Sequence, residues 1–315
     1  MSHTPFWPRQ SPQFLACRRA VRPFTSPSLI GLSGGPDSLA LAAAAAAEAK
    51  DVRALVVDHG LQSGSGDVAK RAAAQAVALG VPADVVRVGV DAAPGESVEA
   101  AARAARYAAL ARAAAEEGRD IWVAHTLDDQ AETLLLGALR GNPAGMAPVS
   151  VLDAGPRLIR PFLGIRRADT VGACEELGLQ PWHDPMNDDP VYRRVAVRKD
   201  IIPALSELIG GDAVPTLART AERITADLEL LAELVDLTPT NDCASLAAEP
   251  APVRQRRILA WLRGEGERSS GVPLNVSGSQ LTDIERLCTH WHGQGPVAIS
   301  GGRSVARVGA LLEVR

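Results

Sequence analysis

The stretch Leu29-Ile30-Gly31-Leu32-Ser33-Gly34-Gly35-Pro36-Asp37-Ser38, running on into the alanine-rich segment Leu39 to Lys50, decides how this chain is read. The apolar run suits a buried strand and alanine has the highest intrinsic helix propensity, so Ser33 to Ser38 forms a tight strand-to-helix turn. Gly34 and Gly35 let the backbone take positive φ and approach a ligand closely, and Pro36 suits a first helical position. The N–H groups of the first helical turn have no partners within the helix and point at whatever lies above them. Such a turn is an anion site, most naturally for phosphate.

The turn carries no Gly-Lys-Ser/Thr and no Gly-x-Gly-x-x-Gly, so neither standard nucleotide fingerprint applies. It offers a carboxylate instead. Asp37 beside the cradle would repel bare phosphate, which suggests a bridging Mg²⁺. The competing account is a glycine turn capped by Ser33, with Asp37 complementing the helix dipole.

Working outward, buried-type strands are expected at Arg53–Asp58, Asp84–Val90, Asp120–His125 and Arg157–Phe162, with helices at Asp67–Leu79, Ser97–Glu117 and Thr126–Leu139 between them. With the first strand this alternation predicts a doubly wound, parallel, five-stranded α/β sheet joined by right-handed crossovers. Ligands of such sheets lie beyond the carboxyl ends of the strands. The unusual residues gather there: Ser33 to Ser38, Asp58-His59, His125 to Glu132, and Arg160 to Arg167. In Ala124-His-Thr-Leu-Asp-Asp-Gln-Ala-Glu-Thr133, Asp129 and Glu132 share a helix face. Thr126 as N-cap with Asp129 three residues on also makes an acidic capping arrangement, so capping and chemistry compete for Asp129.

Beyond Pro203 the spacing is helical. The chain divides into an extension (1–27), a sheet domain (28–210), a linking helix (211–240) and a small, mainly helical C-terminal module (241–315) with a hairpin turning at Gly301-Gly302. The 315 residues carry a net charge of −4, yet residues 251–315 hold nine Arg and no Lys against five acidic residues, leaving −8 on the first 250. A basic module that holds a phosphate backbone fits this asymmetry, and ordinary scatter of charge also fits it. Four scattered cysteines without a Cys-x-x-Cys argue against a zinc ribbon or a disulfide framework. Cys288, His290 and His292 lack a fourth ligand, so no metal is expected there. No membrane span or leader is expected, which makes the cytoplasm the default compartment.

The hexapeptide Ser-Gly-Gly-x-Asp-Ser resembles the pyrophosphate loop of the N-type ATP pyrophosphatases, the PP-loop superfamily with an adenine nucleotide alpha hydrolase-like fold. The His125-x-x-Asp-Asp-Gln-x-Glu-Thr133 block narrows the resemblance to the tRNA(Ile)-lysidine synthase family. Glu99 followed by Ala-Arg103-x-x-Arg106-Tyr107, Arg160-Pro-Phe-Leu-Gly-Ile, and Asp184-Pro-Met-Asn187 with Tyr192, Arg194 and Arg198 agree with it. Met186 and Val195 depart from it, standing where the family usually has Ser and Asn.

The resemblance implies a ligase that uses ATP to adenylate C2 of the first anticodon cytidine of a tRNA(Ile) with a CAU anticodon. L-lysine then attaches through its side-chain amine to give lysidine, releasing AMP and pyrophosphate. It implies binding of ATP and pyrophosphate by Ser33, Gly34, Gly35, Pro36, Asp37, Ser38, Asp58, His59 and His125, with Mg²⁺ on Asp37. Lysine would lie against Arg103, Arg106, Asp129 and Glu132, and the catalytic set is Asp37, Asp129, Arg194 and Arg198. A homodimer is compatible with it. The rivals are a tRNA-thiolating member of the superfamily, whose persulfide or cluster chemistry needs a placed cysteine, and a non-catalytic ATP-binding module.

Overall fold

The computed structural model describes residues 7–8, 10–61, 64–90, 98–152, 155–189, 191–270, 274 and 276–315. The helix start expected at Ser97 lies outside them.

The chain separates into two compact units. The first comprises Met1–Val90, Ala102–Leu136 and Gly145–Glu222. It is built on a six-stranded sheet with the order β3-β2-β1-β4-β6-β5, where β1 is Ser28–Gly31, β2 Val52–Asp58, β3 Ala83–Arg87, β4 Asp120–Trp122, β5 Val149–Val151 and β6 Arg157–Ile159. Five strands run parallel, and β5 adds antiparallel to β6 as an edge. The expected sheet was one strand short because β5 is three residues long, with Val149 and Val151 solvent-exposed, and lies in a Gly/Pro-rich connection. An edge strand this short leaves too few alternating positions for a period-two signal.

The helices α1 (Pro12–Val21), α2 (Pro36–Ala47), α3 (Ser65–Ala78), α4 (Val98–Glu117), α5 (Leu127–Ala138) and α6 (Arg167–Glu176) accompany the strands. Ser38 to Ala45 of α2 are buried without a break, which explains the alanines, since a helix enclosed on all sides needs small residues. Phe14, Ile30, Leu39, Leu41, Trp122 and Phe162 belong to the main core beside it. Burying each such side chain contributes on the order of 1.5–3 kcal/mol. The N–H groups of Gln13 and Phe14 at the start of α1 donate to the Glu176 carboxylate at the end of α6, so the N-terminal helix is tied to the sheet unit.

After α6 the chain makes a short 3₁₀ turn, Pro185–Asn187, then α7 (Arg193–Ala196), a π-helical turn (Val197–Ile201) and α8 (Ile202–Ile209). Pro203 has no N–H to give to the preceding turn, which accounts for the widening at Arg198. Val195 is buried in α7, a packing role that an apolar residue fills.

The second unit comprises Asp91–Ala101, Gly137–Ala144 and Arg223–Arg315. The helix α9 (Ala213–Leu234) leads into it, followed by α10 (Cys243–Ala248), α11 (Ala251–Ser270) and α12 (Gly278–Thr289). It closes with a three-stranded antiparallel sheet, β7 (Val297–Ala298), β8 (Ser304–Val308) and β9 (Leu311–Val314), in place of a lone hairpin. Leu246, Ile258, Leu262, Ile284, Leu287 and Leu312 form its core. Among the described residues no single helix is long and apolar enough to cross a membrane.

Candidate active site

The turn after β1 has the geometry of an anion cradle. Gly34 takes φ +84°, and a Cβ added there would meet the Cβ of Ala72 at 3.0 Å. Gly35 is extended (φ −74°, ψ 168°) and caps α2, with Pro36 as the first helical residue, so only one of the two glycines uses positive φ. The serines hold the turn closed. Ser38 Oγ donates to the Gly35 carbonyl at 3.1 Å and accepts from the Ser33 N–H at 3.2 Å, while Ser33 Oγ lies 3.1 Å from Ser38 Oγ and accepts from the Gly35 N–H at 3.4 Å.

Asp37 leans from this turn toward α6. Its Oδ1 accepts from Thr170 Oγ1, and its Oδ2 lies 3.8 Å from Arg167 Nε. Burial pushes its pKa up to about 6, against the opposing pull of Thr170 and Arg167.

The three acidic residues at the start of α5 have separate partners. Asp128 caps the neighbouring helix: its Oδ2 accepts from the Arg167 N–H at 2.8 Å and from Arg166 Nε at 3.1 Å. Asp129 divides its oxygens. Oδ2 accepts from Thr126 N–H at 2.8 Å and Thr126 Oγ1 at 2.9 Å, which is the capping arrangement, and Oδ1 accepts from Arg167 at 2.8 Å. Burial pushes the Asp129 carboxyl up, but Arg167 and the Thr126 N–H outweigh it and hold the group below the usual carboxylate range. Glu132 is fully buried; its Oε1 accepts from Arg167 at 3.0 Å and Arg198 Nε at 2.8 Å, and its Oε2 from Arg198 at 3.3 Å. Arg194 approaches both Asp129 and Glu132 at 3.9 Å. The π-helical turn places Arg198 on Glu132, one of the two carboxylates that Arg194, four residues earlier, approaches.

A second set of residues lies beside His125 and His59. His125 is pushed down to about 3 by burial, helped by Arg103, Arg160 and Arg194 and opposed by Asp129. His59 is lowered by burial and by Arg106. Both shifts favour the neutral ring, and the Nδ1 atoms of both are buried without a protein partner. Arg106 and Arg103 flank Tyr107, with guanidinium carbons 5.7 Å and 5.0 Å from its ring centre. Asp58 is held below the usual carboxylate range by Ser65 and the Gly60 N–H.

The expected residues thus fall into two neighbouring sets, Asp37, Asp129, Glu132, Arg194 and Arg198 in one, and His59, His125, Arg103 and Arg106 in the other. Arg167 and Thr170 were missed as individuals. The expected Arg160 to Arg167 rim pointed at the first, and nothing in local spacing marks Thr170, which reaches Asp37 only through the fold. Asp37 is one carboxylate beside an anion cradle, a donor set that suits Mg²⁺ carried mainly by phosphate oxygens. Among the described residues no group of three or more His, Cys, Asp or Glu forms a metal cage.

A family profile described as a PP-loop domain matches residues 16–205. The tRNA(Ile)-lysidine synthase of Corynebacterium diphtheriae is 53% identical, covering 98% of this chain and 99% of that protein, and the one of Corynebacterium glutamicum is 49% identical, covering 98% and 96%. The protein of the same name from Leifsonia xyli subsp. xyli is 47% identical over 90% of this chain and 88% of its own. Among solved structures, the U34-tRNA thiolase NcsA from Methanococcus maripaludis with its [4Fe-4S] cluster superposes with a TM-score of 0.58 at 20% identity, covering 72% of this chain and 82% of that one, a likeness of fold alone.

Proposed function

The chain belongs to the tRNA(Ile)-lysidine synthase family of PP-loop proteins, ATP-dependent tRNA-modifying ligases, and from this premise we propose how its residues divide the reaction. The Ser33 to Ser38 turn receives the β- and γ-phosphates of ATP on the free N–H groups of α2. Asp37 would hold Mg²⁺, which when bound would supply positive charge to the departing pyrophosphate. His59 and His125, both neutral, address the nucleoside with uncharged ring nitrogens, and Asp58 fixes the loop that carries His59.

In the first step the cytidine C2 oxygen attacks the α-phosphorus, and pyrophosphate leaves toward the helix N-terminus. Stabilisation is electrostatic, from oriented N–H groups and guanidinium groups that need no reorganisation. Arg194 and Arg198 are suited to the phosphoryl group because Glu132 holds Arg198 from behind and Thr133 Oγ1 accepts from Arg194 at 3.3 Å. In the second step the side-chain amine of lysine attacks C2 and AMP departs. Asp129 and Glu132 receive the cationic amine, Asp129 accepts its proton, and Arg103 or Arg106 takes the lysine carboxylate.

The observation that supports this reading is the meeting of the phosphate turn and the α5 acid pair on one guanidinium, that of Arg167. Asp129→Asn separates the steps. It keeps a side-chain oxygen to cap α5 but turns an amide toward Arg167 in place of the carboxylate, which should cost about 1–3 kcal/mol of stability, and it loses the charge that receives the amine. The variant is expected to accumulate adenylated tRNA and respond poorly to lysine. Wild-type turnover with wild-type lysine dependence would return Asp129 to a purely capping role. The basic C-terminal module binds the tRNA body, and the reaction belongs to the cytoplasm, where charged and uncharged tRNA circulate.

A further inference from the structure

Arg167 opens α6 and commits each guanidinium nitrogen to a different carboxylate: Nε faces Asp37 at 3.8 Å, one terminal nitrogen donates to Glu132 at 3.0 Å, and the other to Asp129 at 2.8 Å. Asp37 belongs to the phosphate turn and the other two to α5, so one planar fork spans both halves of the chemistry. The Arg167 side chain is 20% exposed and that of Asp129 11%, so the contact is only partly screened by water.

This arrangement bears on how lysine enters, and the inference rests on the assignment of Asp129 and Glu132 to its amine. Asp129 Oδ2 is committed to Thr126, and both Glu132 oxygens already serve Arg198. The remaining oxygen, Asp129 Oδ1, holds Arg167. An incoming ammonium group therefore competes with a resident cation for its best partner. The force able to draw that cation away lies on its Nε side, because ATP phosphates on the Ser33 to Ser38 turn would bring negative charge next to Asp37. Guanidinium binds phosphate oxygens in a two-pronged fashion as readily as it binds carboxylate.

We propose that Arg167 makes lysine binding conditional on ATP: in the resting protein its guanidinium keeps the ammonium's place on Asp129, and it turns toward the phosphates when ATP occupies the turn. Lysine then enters a site whose nucleotide is already in place. Because binding linkage is reciprocal, lysine tightens ATP by the same factor.

The test is calorimetric titration of the full-length protein with L-lysine, with and without a saturating α,β-methylene ATP analogue and MgCl₂. The expected result for the wild type is lysine binding at least about tenfold tighter with the analogue, within the usual range of coupling between sites. Arg167→Gln is expected to bind lysine without the analogue several-fold more tightly than the wild type does, with the ratio between the two conditions falling to about one. Arg167→Lys, which keeps the charge and loses the fork, should retain only part of the ratio. A wild-type ratio of one overturns the proposal, as does an Arg167→Gln protein with a normal urea midpoint that binds lysine more weakly than the wild type. Should the glutamine variant not fold, an unchanged ratio in Arg167→Lys overturns it. Lysine binding that Asp129→Asn leaves untouched would instead remove the lysine site from Asp129, a failure of the underlying assignment that the wild-type ratio distinguishes.

Discussion

Glu132→Gln removes one charge from the most enclosed position of the site, and its cost follows from the partners that remain. The carboxylate is fully buried and accepts three guanidinium hydrogen bonds, at 3.0 Å from Arg167 and at 2.8 and 3.3 Å from Arg198, with Arg194 a further 3.9 Å away. Glutamine matches it in shape but keeps a single acceptor, and its amide turns two donors toward donors. Deleting one partner of a buried ion pair costs about 3–5 kcal/mol. Here the three arginines stay 20%, 30% and 39% exposed and remain partly hydrated, and Arg167 keeps Asp129. That lowers the expectation to about 2–3 kcal/mol. With a urea dependence of about 2 kcal/mol per molar, the midpoint of the sheet unit should fall by about 1–1.5 M. The assay is urea unfolding of the wild type, Glu132→Gln, Arg198→Met and the double variant. The double variant should lose about 1 kcal/mol or more less than the sum of the singles, as residues in contact do. A loss under ~0.5 kcal/mol, or strict additivity, would refute the idea that Glu132 organises the arginines from behind.

Asp37→Asn should fold normally and fail to release pyrophosphate. In the wild type, with the Asp37 pKa near 6, the proton competes with Mg²⁺, so the Mg²⁺ needed for half-maximal pyrophosphate release should rise about tenfold per pH unit below 6. The same raised pKa favours the protonated folded state, so its contribution to stability is complete below about 4 and is lost as pH rises toward 6; Asp37→Asn should flatten that segment of the stability–pH curve. Arg286 is 63% exposed on α12, and Arg286→Glu should weaken tRNA binding and reduce its salt slope without changing the affinity for the ATP analogue. Equal tRNA affinity and salt slope in that variant would detach this face of the C-terminal unit from the tRNA.

The strand-turn-helix around Ser33 to Ser38 was legible because three local signals agree there: an apolar run, a glycine that must take positive φ, and a proline at the first helical position. The acid block at the start of α5 was legible as a block, but its division of labour was not. That Asp128 caps α6 and that Glu132 faces Arg198 depends on which helix packs beside α5, and sequence spacing is silent on this. Arg167 escaped for the same reason: it is one of two adjacent arginines, and the fold alone sends Arg166 to Asp128 and Arg167 to Asp129 and Glu132 of α5 and to Asp37 of the phosphate turn. The Thr126–Asp129 cap and the proposed chemistry at Asp129 proved compatible, since each uses a different oxygen of the same carboxylate.

The most direct measurement is nucleoside mass analysis of tRNA(Ile) bearing a CAU anticodon after incubation with the purified protein, ATP, Mg²⁺ and L-lysine, with pyrophosphate and AMP counted in the same reaction. The account predicts that the first anticodon cytidine gains one lysine, that AMP and pyrophosphate appear in equal amounts with it, and that omitting lysine stops the reaction at the adenylated tRNA. Pyrophosphate release without any lysine-bearing nucleoside, or a sulfur-containing nucleoside in its place, would contradict it.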